Sequence, residues 1–424
     1  MSDILTTPYF QQLKTNDPAI FAALRGEQQR QIEGIELIPA ENYTYPEVLA
    51  LLGSVLTNKY SEGYPGRRYY GGQQFTDTIE EIACQRAKAV FDAEHANVQP
   101  LSGSPMNQAA YFALLQPGDT ILAMDLSHGG HLTHGAPVSH MGRVFNFVRY
   151  KTQIPSGELD FDTIRQQALA CRPKLILCGY SSYPRDLNYS AFKQVAEEVG
   201  AYTMADISHF GGLVAGKVMN NPLAAGFDIV TTTTHKSLRG PRGGLILCKQ
   251  EHAKRIDSSV FPGLQGGPHM NQVAATAFTL LQAQQASFVD YCQQVLANTQ
   301  ALVQALINAG VTLITGGSEN HLVVIDTVTS FGLNGKEAEG LLDIIGITVN
   351  KQVIPDDPLP PAKPSGIRLG TPAATTRGMK EADMQAIADW IVGCLRQPRD
   401  SESHRNIGAK VREFCQQFPV PGLA

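Results

Sequence analysis

Residues 228–244 read DIVTTTTHKSLRGPRGG, and this stretch decides the fold class. An apolar run ends in four threonines, which favour strands but carry hydroxyl groups that need hydrogen-bond partners. His235 and Lys236 follow, and then a loop rich in arginine and glycine. A lysine at the polar end of a strand can lose hydration and act as a nucleophilic amine towards an aldehyde. Taken alone, Lys236 fits a surface lysine in a basic turn much better.

Strand-like runs alternate with helical segments around this stretch. Strands are predicted at 120–124, 144–148, 174–178, 202–205, 229–234 and 244–248, with helices at 79–91 and 191–199. This rhythm predicts an α/β fold with a mainly parallel sheet covered by helices. A long helix is predicted over 271–309, followed by strands at 311–314 and 322–326 and helices at 336–344 and 381–395.

The pattern divides the chain into three predicted parts. They are an N-terminal helical arm over 1–55, a large domain over 56–300 and a small C-terminal α/β domain over 301–424. The last twenty-odd residues fit either a cap on the small domain or an unanchored tail.

Composition narrows the class of protein. Among 424 residues, 34 Lys and Arg against 39 Asp and Glu give a net charge of −5, which provides no general attraction to nucleic acid or to an anionic membrane. The seven cysteines are never spaced as C-x-x-C, so neither a disulfide framework nor a zinc site is indicated. We find no signal-peptide pattern and no apolar run long enough to span a bilayer. We therefore expect a cytoplasmic protein.

Two further segments point to a cofactor. Ser102-Gly103-Ser104-Pro105 precedes a helical pattern, and small residues at a helix start allow backbone N–H groups to approach a phosphate. The run 201–209, AYTMADISH, places Asp206 at a strand end, where a carboxylate can keep a ring nitrogen protonated. Each signal has an ordinary alternative, such as a serine N-cap. Together with Lys236 they supply the three parts that pyridoxal phosphate chemistry needs.

Five motifs together resemble the serine hydroxymethyltransferase family. They are TNKYSEGYPGRRYYGG (57–72), HGGHLTHG (128–135), TTTTHKSLRGPRGG (231–244), LQGGPHMN (264–271) and SGIRLGTPA (365–373). The resemblance runs in order from about residue 30 to 400. It implies fold type I of the pyridoxal-phosphate-dependent transferases, which is the aspartate aminotransferase-like fold.

The resemblance also implies a cofactor site. Lys236 is expected to form the Schiff base with pyridoxal 5′-phosphate, Asp206 to pair with the pyridine nitrogen and His131 to stack on the ring. The remaining cofactor-binding residues that it implies are Ser102, Gly103, Ser104, Ser181, His209, His235, and, across a dimer interface, Tyr60, Gly266 and Gly267. Because His128, His131 and His134 repeat every three residues, a metal ligand or a core histidine is the alternative for His131. No HExxH pattern is present, and we expect no metal.

The substrate residues are likewise implied by the resemblance. Arg368 is expected to bind the amino-acid carboxylate. Glu62 is expected to handle the proton of the substrate hydroxyl group or of the folate carbinolamine. Tyr70 is counted with Lys236, Glu62, His131 and Asp206 as catalytic. The other implied substrate-site residues are Tyr69, Arg242, Leu126, Gly130, Leu132 and Gln352.

The chain departs from the family pattern at three places. Ala40 replaces a serine, Pro105-Met106 replaces glutamine-alanine, and Gln352 replaces an asparagine that commonly contacts the pterin. The loss of one hydrogen bond to a carboxylate costs roughly 1.5–3 kcal/mol. The changes therefore concern substrate preference and folate affinity rather than the cofactor machinery.

The implied activity is the reversible conversion of L-serine and tetrahydrofolate to glycine and 5,10-methylenetetrahydrofolate. The expected assembly is a homodimer or homotetramer, without membrane or nucleic-acid partners. Two other functions stay open at this point. Ala40 and Gln352 motivate a folate-independent aldolase acting on threonine-like β-hydroxy amino acids. The other alternative is a non-catalytic scaffold. Such a protein should have lost Lys236, Asp206 or Arg368, and all three are present.

Overall fold

The structure is a computed structural model that describes residues 7–154 and 156–423. The described chain forms two compact units. The sheet unit comprises residues 47–293, and the terminal unit combines residues 7–46 with 294–423. The N-terminal segment thus belongs to the same unit as the C-terminal part of the chain. The boundaries of the three predicted domains remain predictions.

The helices are distributed over both units. In chain order they are α1 (Pro8–Asn16), α2 (Pro18–Glu33), α3 (Pro46–Leu52), α4 (Gln74–Phe91), α5 (Gly103–Leu114), α6 (Phe161–Cys171), α7 (Tyr189–Val199), α8 (Gly211–Ala215), α9 (Ala253–Ser258), α10 (Met270–Gln282), α11 (Ala286–Asn308), α12 (Thr327–Phe331), α13 (Gly335–Ile344), α14 (Pro372–Thr376), α15 (Glu381–Arg396) and α16 (Ser401–Cys415).

The strands are short. They are β1 (Ile35–Glu36), β2 (Gly63–Tyr64), β3 (Arg67–Arg68), β4 (His95–Asn97), β5 (Thr120–Met124), β6 (Asn146–Tyr150), β7 (Leu175–Gly179), β8 (Tyr202–Asp206), β9 (Ile229–Thr233), β10 (Gly244–Cys248), β11 (Leu322–Asp326), β12 (Ile347–Thr348), β13 (Asn350–Gln352) and β14 (Gly366–Gly370).

A seven-stranded sheet forms the centre of the sheet unit. Its strand order is β4-β10-β9-β8-β7-β5-β6, and the run from β9 to β6 is parallel, whereas β10 pairs antiparallel with both β9 and β4. Every residue of β7, β9 and β10 is buried, as expected for strands covered on both faces. The predicted α/β class with a mainly parallel sheet is therefore confirmed.

The terminal unit contains a smaller antiparallel sheet. Its order is β11-β14-β13, and β1 pairs separately with β12 in parallel. Apolar side chains of α13, α15 and α16 pack with these strands in one core cluster. Near the C-terminus, Val420 packs with Tyr43 and Ala373, and the Arg377 guanidinium donates to the carbonyl oxygens of Cys415 and Phe418. The C-terminal segment is therefore anchored to this unit.

Two secondary-structure predictions were wrong. The helix predicted over 271–309 is two helices, because the chain turns at residues 283–285 between α10 and α11. The strand predicted at 311–314 is a single bridge from Leu313 to Ile325, followed by a 3-10 turn over Ile314–Gly316 in which Thr315 has a positive φ. Apolar β-branched residues favour both a strand and a buried loop, so the pattern did not separate them.

Candidate functional site

The carboxyl ends of the central strands bring several predicted site residues to one edge of the sheet. Asp206 is the last residue of β8, and it lies opposite Gly179 of β7 and Thr231 of β9. Ser181 and Lys236 follow the ends of β7 and β9. Parallel strands place their carboxyl ends on the same side of a sheet, and ligands of open α/β sheets bind at that side.

Asp206 is held by hydrogen bonds from three directions. Its Oδ2 atom accepts a bond of 2.8 Å from the Asn107 side-chain amide and lies 3.2 Å from Nε2 of His134. Its Oδ1 atom accepts a bond of 3.0 Å from the backbone N–H of Ser208. The amide oxygen of Asn107 in turn accepts from the Thr231 hydroxyl. The carboxylate is thus fixed by α5, β9 and the loop that carries His134.

These partners keep Asp206 ionised although it is only 5% exposed. Burial alone would raise the pKa of this carboxyl group. The hydrogen bond from His134, the electrostatic influence of the His134 and His131 rings and the hydrogen bond with Ser208 instead hold its pKa far below the usual range. A buried, ionised carboxylate is the group that stabilises a protonated ring nitrogen.

The histidine loop has defined hydrogen-bond roles. His131 Nδ1 accepts from the backbone N–H of Thr133, and His134 Nδ1 accepts from the backbone N–H of His131. Nε2 of His134 therefore carries the hydrogen that points to Asp206. His131, His134 and Asp206 lie close enough to surround a metal ion, but both ring nitrogens of His134 already serve hydrogen bonds.

Ser181 lies beside the same loop. Its hydroxyl group donates to the carbonyl oxygen of Gly130 at 2.7 Å, and its backbone N–H donates to that of Gly129. A Cβ atom at Gly130 would collide with the carbonyl oxygen of Met124, so glycine is needed for this close approach. Leu126 is half-buried and Leu132 is exposed, so these two predicted substrate-site residues lie in different environments.

The predicted phosphate-binding segment begins α5. Ser102 is extended and precedes the first helical residue, Gly103, while Ser104 is exposed in the first turn. The Ser102 side chain makes no capping hydrogen bond to this helix. A Cβ atom at Gly103 would lie 3.0 Å from Cγ2 of Thr233, which places the start of α5 against the end of β9. The N–H groups at this helix start suit an anion.

Lys236 is half-buried in a turn that packs tightly against α8. The hydroxyl group of Ser237, the next residue, donates to the carbonyl oxygen of His209 and accepts from the backbone N–H of Gly212. Two backbone hydrogen bonds close the loop. The N–H group of Thr234 donates to the carbonyl oxygen of Gly243, and that of Gly240 donates to the carbonyl oxygen of Thr234. The backbone around Lys236 is therefore fixed on both sides.

His235 and Arg242 adjoin the lysine. Burial, together with the positive charges of Arg242 and Lys236, lowers the pKa of His235 to about 3. Its Nδ1 atom faces the backbone N–H of Gly243 at 3.4 Å. His235 is accordingly neutral at physiological pH, and Arg242 is exposed beside it.

A second group of predicted residues flanks the hairpin of β2 and β3 in sequence or lies in the loop before α10. A Cβ atom at Gly266 would lie 3.3 Å from Glu62 Oε1, and one at Gly267 would lie 3.5 Å from the Tyr60 ring. The Tyr60 ring packs edge-on against Tyr70 at 5.1 Å. A hydrogen bond to Glu62 raises the pKa of Tyr60. We call Tyr60, Glu62, Tyr70, Gly266 and Gly267 the hairpin cluster.

The aromatic rings of the hairpin cluster are exposed, as is that of the neighbouring Tyr69. The exposed fractions of Tyr60, Tyr69 and Tyr70 are 55%, 73% and 49%. Tyr69 packs edge-on against Phe261. The structure thus brings the predicted residues of this group together within one chain and leaves their aromatic rings open to solvent.

A buried ion-pair network that the sequence analysis missed supports this hairpin. Arg68, only 3% exposed at its side chain, lies 2.6 Å from Glu80 and 2.8 Å from Asp77, and it also donates to the carbonyl oxygens of Ser61 and Gly63. The arginine within RRYY was the available signal, but sequence alone does not separate a buried arginine from a surface one.

The remaining predicted residues lie in the terminal unit. Arg368 is buried in β14, its Nε donates to Oδ1 of Asn350 at 3.2 Å, and burial lowers its pKa to about 10. Gln352 ends β13, and its side-chain amide donates to the carbonyl oxygen of Val353. Their roles towards the carboxylate and the pterin remain predictions.

Comparison with known proteins identifies relatives along almost the whole chain. The sequence model of the family described as Serine hydroxymethyltransferase matches residues 13–391. The protein of that name from Rhodopirellula baltica is 49% identical over 412 residues, covering 97% of this chain and 98% of the relative. Those from Desulfotalea psychrophila and Acidobacterium capsulatum are 51% and 50% identical, and each comparison covers 97% of this chain and 96% of the relative.

Proposed function

Because the chain belongs to the serine hydroxymethyltransferase family, we propose that Lys236 binds the aldehyde carbon of pyridoxal 5′-phosphate and that Asp206 faces its ring nitrogen. The activity is the pyridoxal-phosphate-dependent transfer of the hydroxymethyl carbon of L-serine to tetrahydrofolate, which leaves glycine. The observation that carries the site assignment is the ionised, buried Asp206 at the same sheet edge as the lysine turn.

The residues present fit this cofactor. Asp206 receives its hydrogen bonds without losing its charge, the start of α5 offers backbone N–H groups, and the turn around Lys236 is closed by hydrogen bonds. When bound, the cofactor supplies a protonated ring that accepts the electron pair of the serine Cα–Cβ bond as it breaks. Asp206 keeps the ring proton in place because its own pKa is too low to take it.

Proton transfer at the substrate is assigned to Glu62. Its carboxylate is half-buried and shares a hydrogen bond with Tyr60, so it lies among groups that can hold a proton at the departing hydroxymethyl fragment. His235 is neutral, so it adds no positive charge of its own to those of Lys236 and Arg242. His131 is assigned to the face of the ring.

We further propose that two copies of the chain form each complete site and that the assembly works in the cytoplasm. Exposed aromatic rings next to a carboxylate are costly on a free surface and are typical of a surface that another protein covers. Tyr60, Tyr69 and Tyr70 supply such a surface beside Glu62. Among the residues that the structure describes, no helix has both the length and the apolar character to cross a membrane.

The activity is tested by following [3-14C]serine cleavage with and without tetrahydrofolate. The rate of serine cleavage is expected to depend on tetrahydrofolate. One glycine should form for each serine consumed. The matched control is Lys236→Ala, which is expected to lose turnover while keeping its fold, as judged by circular dichroism. Serine cleavage that is independent of folate would contradict the proposal, and so would full turnover of the Lys236→Ala variant.

The shared site is tested by mixing two inactive variants. Lys236→Ala chains and Glu62→Gln chains are each expected to be almost inactive, but mixed dimers contain one site with both residues intact. With random pairing, half the dimers are mixed and half their sites are intact, so about a quarter of the wild-type activity should return. If no activity returns while mixed dimers are demonstrated by tagged pull-down, Glu62 acts within its own chain.

A further inference from the structure

The turn after Lys236 contains an unusual backbone conformation. Arg239 has a φ of +63°, in the left-handed region that an arginine rarely adopts, and its backbone N–H donates to the carbonyl oxygen of Lys236 at 3.0 Å. Glycine takes this conformation without steric cost, whereas any other side chain strains it. The chain nevertheless carries arginine here, so the side chain has a task that offsets the strain.

The Arg239 side chain binds the turn to α11. Its guanidinium carbon lies 5.1 Å from the centre of the Tyr291 ring, a cation–π distance, and Tyr291 is only 8% exposed. The guanidinium also acts on the next residue, because it opposes the rise that burial causes in the pKa of the Cys292 thiol. Both partners lie in residues 286–293, the part of α11 that belongs to the sheet unit.

The same part of α11 reaches the turn by a second route. The Cys292 thiol faces the carbonyl oxygen of Gly212 at 3.3 Å, and the backbone N–H of Gly212 donates to the hydroxyl group of Ser237. A Cβ atom at Gly212 would collide with the Ser237 backbone, so α8 is packed directly against the turn. Residues 236–239 are thus held by two helices: α8 contacts Ser237, and α11 contacts Arg239.

We infer that Arg239 is a positioning residue: its cation–π contact with Tyr291 fixes the turn so that the Lys236 amine is presented to the cofactor aldehyde. The inference rests on the proposed role of Lys236 and adds to it a residue that acts through the turn. The contact is desolvated on the tyrosine side, where cation–π pairs are strongest. Without it, the turn loses a contact that helps to hold residue 239 at its strained φ.

The test uses pairs of variants that separate charge, ring and backbone strain. Arg239→Met and Tyr291→Leu remove one partner each, whereas Arg239→Lys and Tyr291→Phe keep a cation and a ring. Arg239→Gly removes the strain together with the contact. For each full-length protein freed of cofactor, amide hydrogen exchange over residues 236–243 and the rate of pyridoxal 5′-phosphate capture by absorbance are measured.

The expected result is a graded pattern. Arg239→Met, Tyr291→Leu and Arg239→Gly should each exchange faster over the turn and capture the cofactor three- to tenfold more slowly. Arg239→Lys and Tyr291→Phe should stay within about twofold of wild type, as rescue by the retained interaction requires. The double variant Arg239→Met with Tyr291→Leu should be no slower than the slower single variant, because both remove the same contact.

Two results would overturn the inference. One is that Arg239→Gly matches or exceeds wild type, which would make residue 239 only a turn former. The other is that the two single losses multiply in the double variant, which would make the residues independent. Both outcomes are read from exchange and capture rates, whereas failure of the proposed role of Lys236 shows itself differently, as cofactor attached at another residue.

Discussion

The carboxyl edge of the seven-stranded sheet and the hairpin cluster carry predicted site residues in opposite environments. At the sheet edge, Asp206 is 5% exposed and every partner that fixes it comes from the same chain. In the hairpin cluster the backbone is fixed from below by Arg68, but the rings of Tyr60 and Tyr70 are about half exposed. The difference is that the side chains fixing Asp206 belong to the same chain, whereas the aromatic rings of the hairpin cluster stay exposed, and these rings form the surface that the proposed second copy would cover.

The largest effect on turnover is expected from a substitution of Asp206 at the buried edge of the sheet. Asp206→Asn keeps the shape but removes the charge that holds the ring nitrogen protonated, so turnover should fall about 100- to 1000-fold, as for other preorganised electrostatic groups. Steady-state kinetics measures the loss, and Asp206→Glu, which keeps the charge, should lose less. If Asp206→Asn retained more than a tenth of the activity, the carboxylate would have no role at the ring.

Arg68→Met removes the buried ion pairs and hydrogen bonds that hold the backbone of the hairpin β2–β3. This variant leaves Glu80, which is 1% exposed at its side chain, buried without its partner, and removing one member of a buried ion pair costs about 3–5 kcal/mol. Urea unfolding measures the loss. The matched control is Arg165→Met, whose pair with Glu198 is exposed and should cost no more than about 1 kcal/mol. Equal losses in the two variants would show that the Arg68 network does not support the fold.

A smaller effect is expected in the pH dependence of the free energy of unfolding, through the half-buried His235. The pKa of His235 is lowered to about 3 in the folded chain, against about 6.5 when unfolded, so between these values the unfolded state binds a proton that the folded state does not. Stability should therefore rise with pH across this window, by up to about 1.4 kcal/mol per unit from this residue.

His235→Gln should flatten this rise, whereas the exposed His140→Gln should leave it unchanged. Urea unfolding of cofactor-free protein at several pH values between 4 and 6.5 measures the slopes. Identical slopes for wild type and His235→Gln would mean that His235 is as easily protonated in the folded chain as in the unfolded one.

The sequence predicted the sheet edge better than the hairpin for a physical reason. Strands β5 and β10 match their predicted bounds because continuous apolar runs between polar ends leave few alternatives. Asp206 was found because it ends such a run. Its partners Asn107 and His134 were not assigned to it, since hydrogen bonds between residues 99 and 72 positions apart depend on the folded packing.

Other features could not be read from the pattern at all. The two-residue strands β2 and β3 are too short to show an alternation of apolar and polar residues. The turn between α10 and α11 lies in a sequence without the proline or glycine that usually marks a helix end. The positive φ of Arg239 and its contact with Tyr291 of α11 likewise carry no local signature, because Tyr291 is distant in sequence. Such features follow from tertiary packing, which overrides local preference.

The most direct test of the central claim is to locate the cofactor. The protein is loaded with pyridoxal 5′-phosphate, reduced with sodium borohydride to make the attachment permanent, digested and analysed by tandem mass spectrometry. A phosphopyridoxyl group is expected on Lys236, and the peptide that carries it is expected to be absent from Lys236→Ala. Stoichiometric attachment at any other lysine, with Lys236 unmodified, would contradict it.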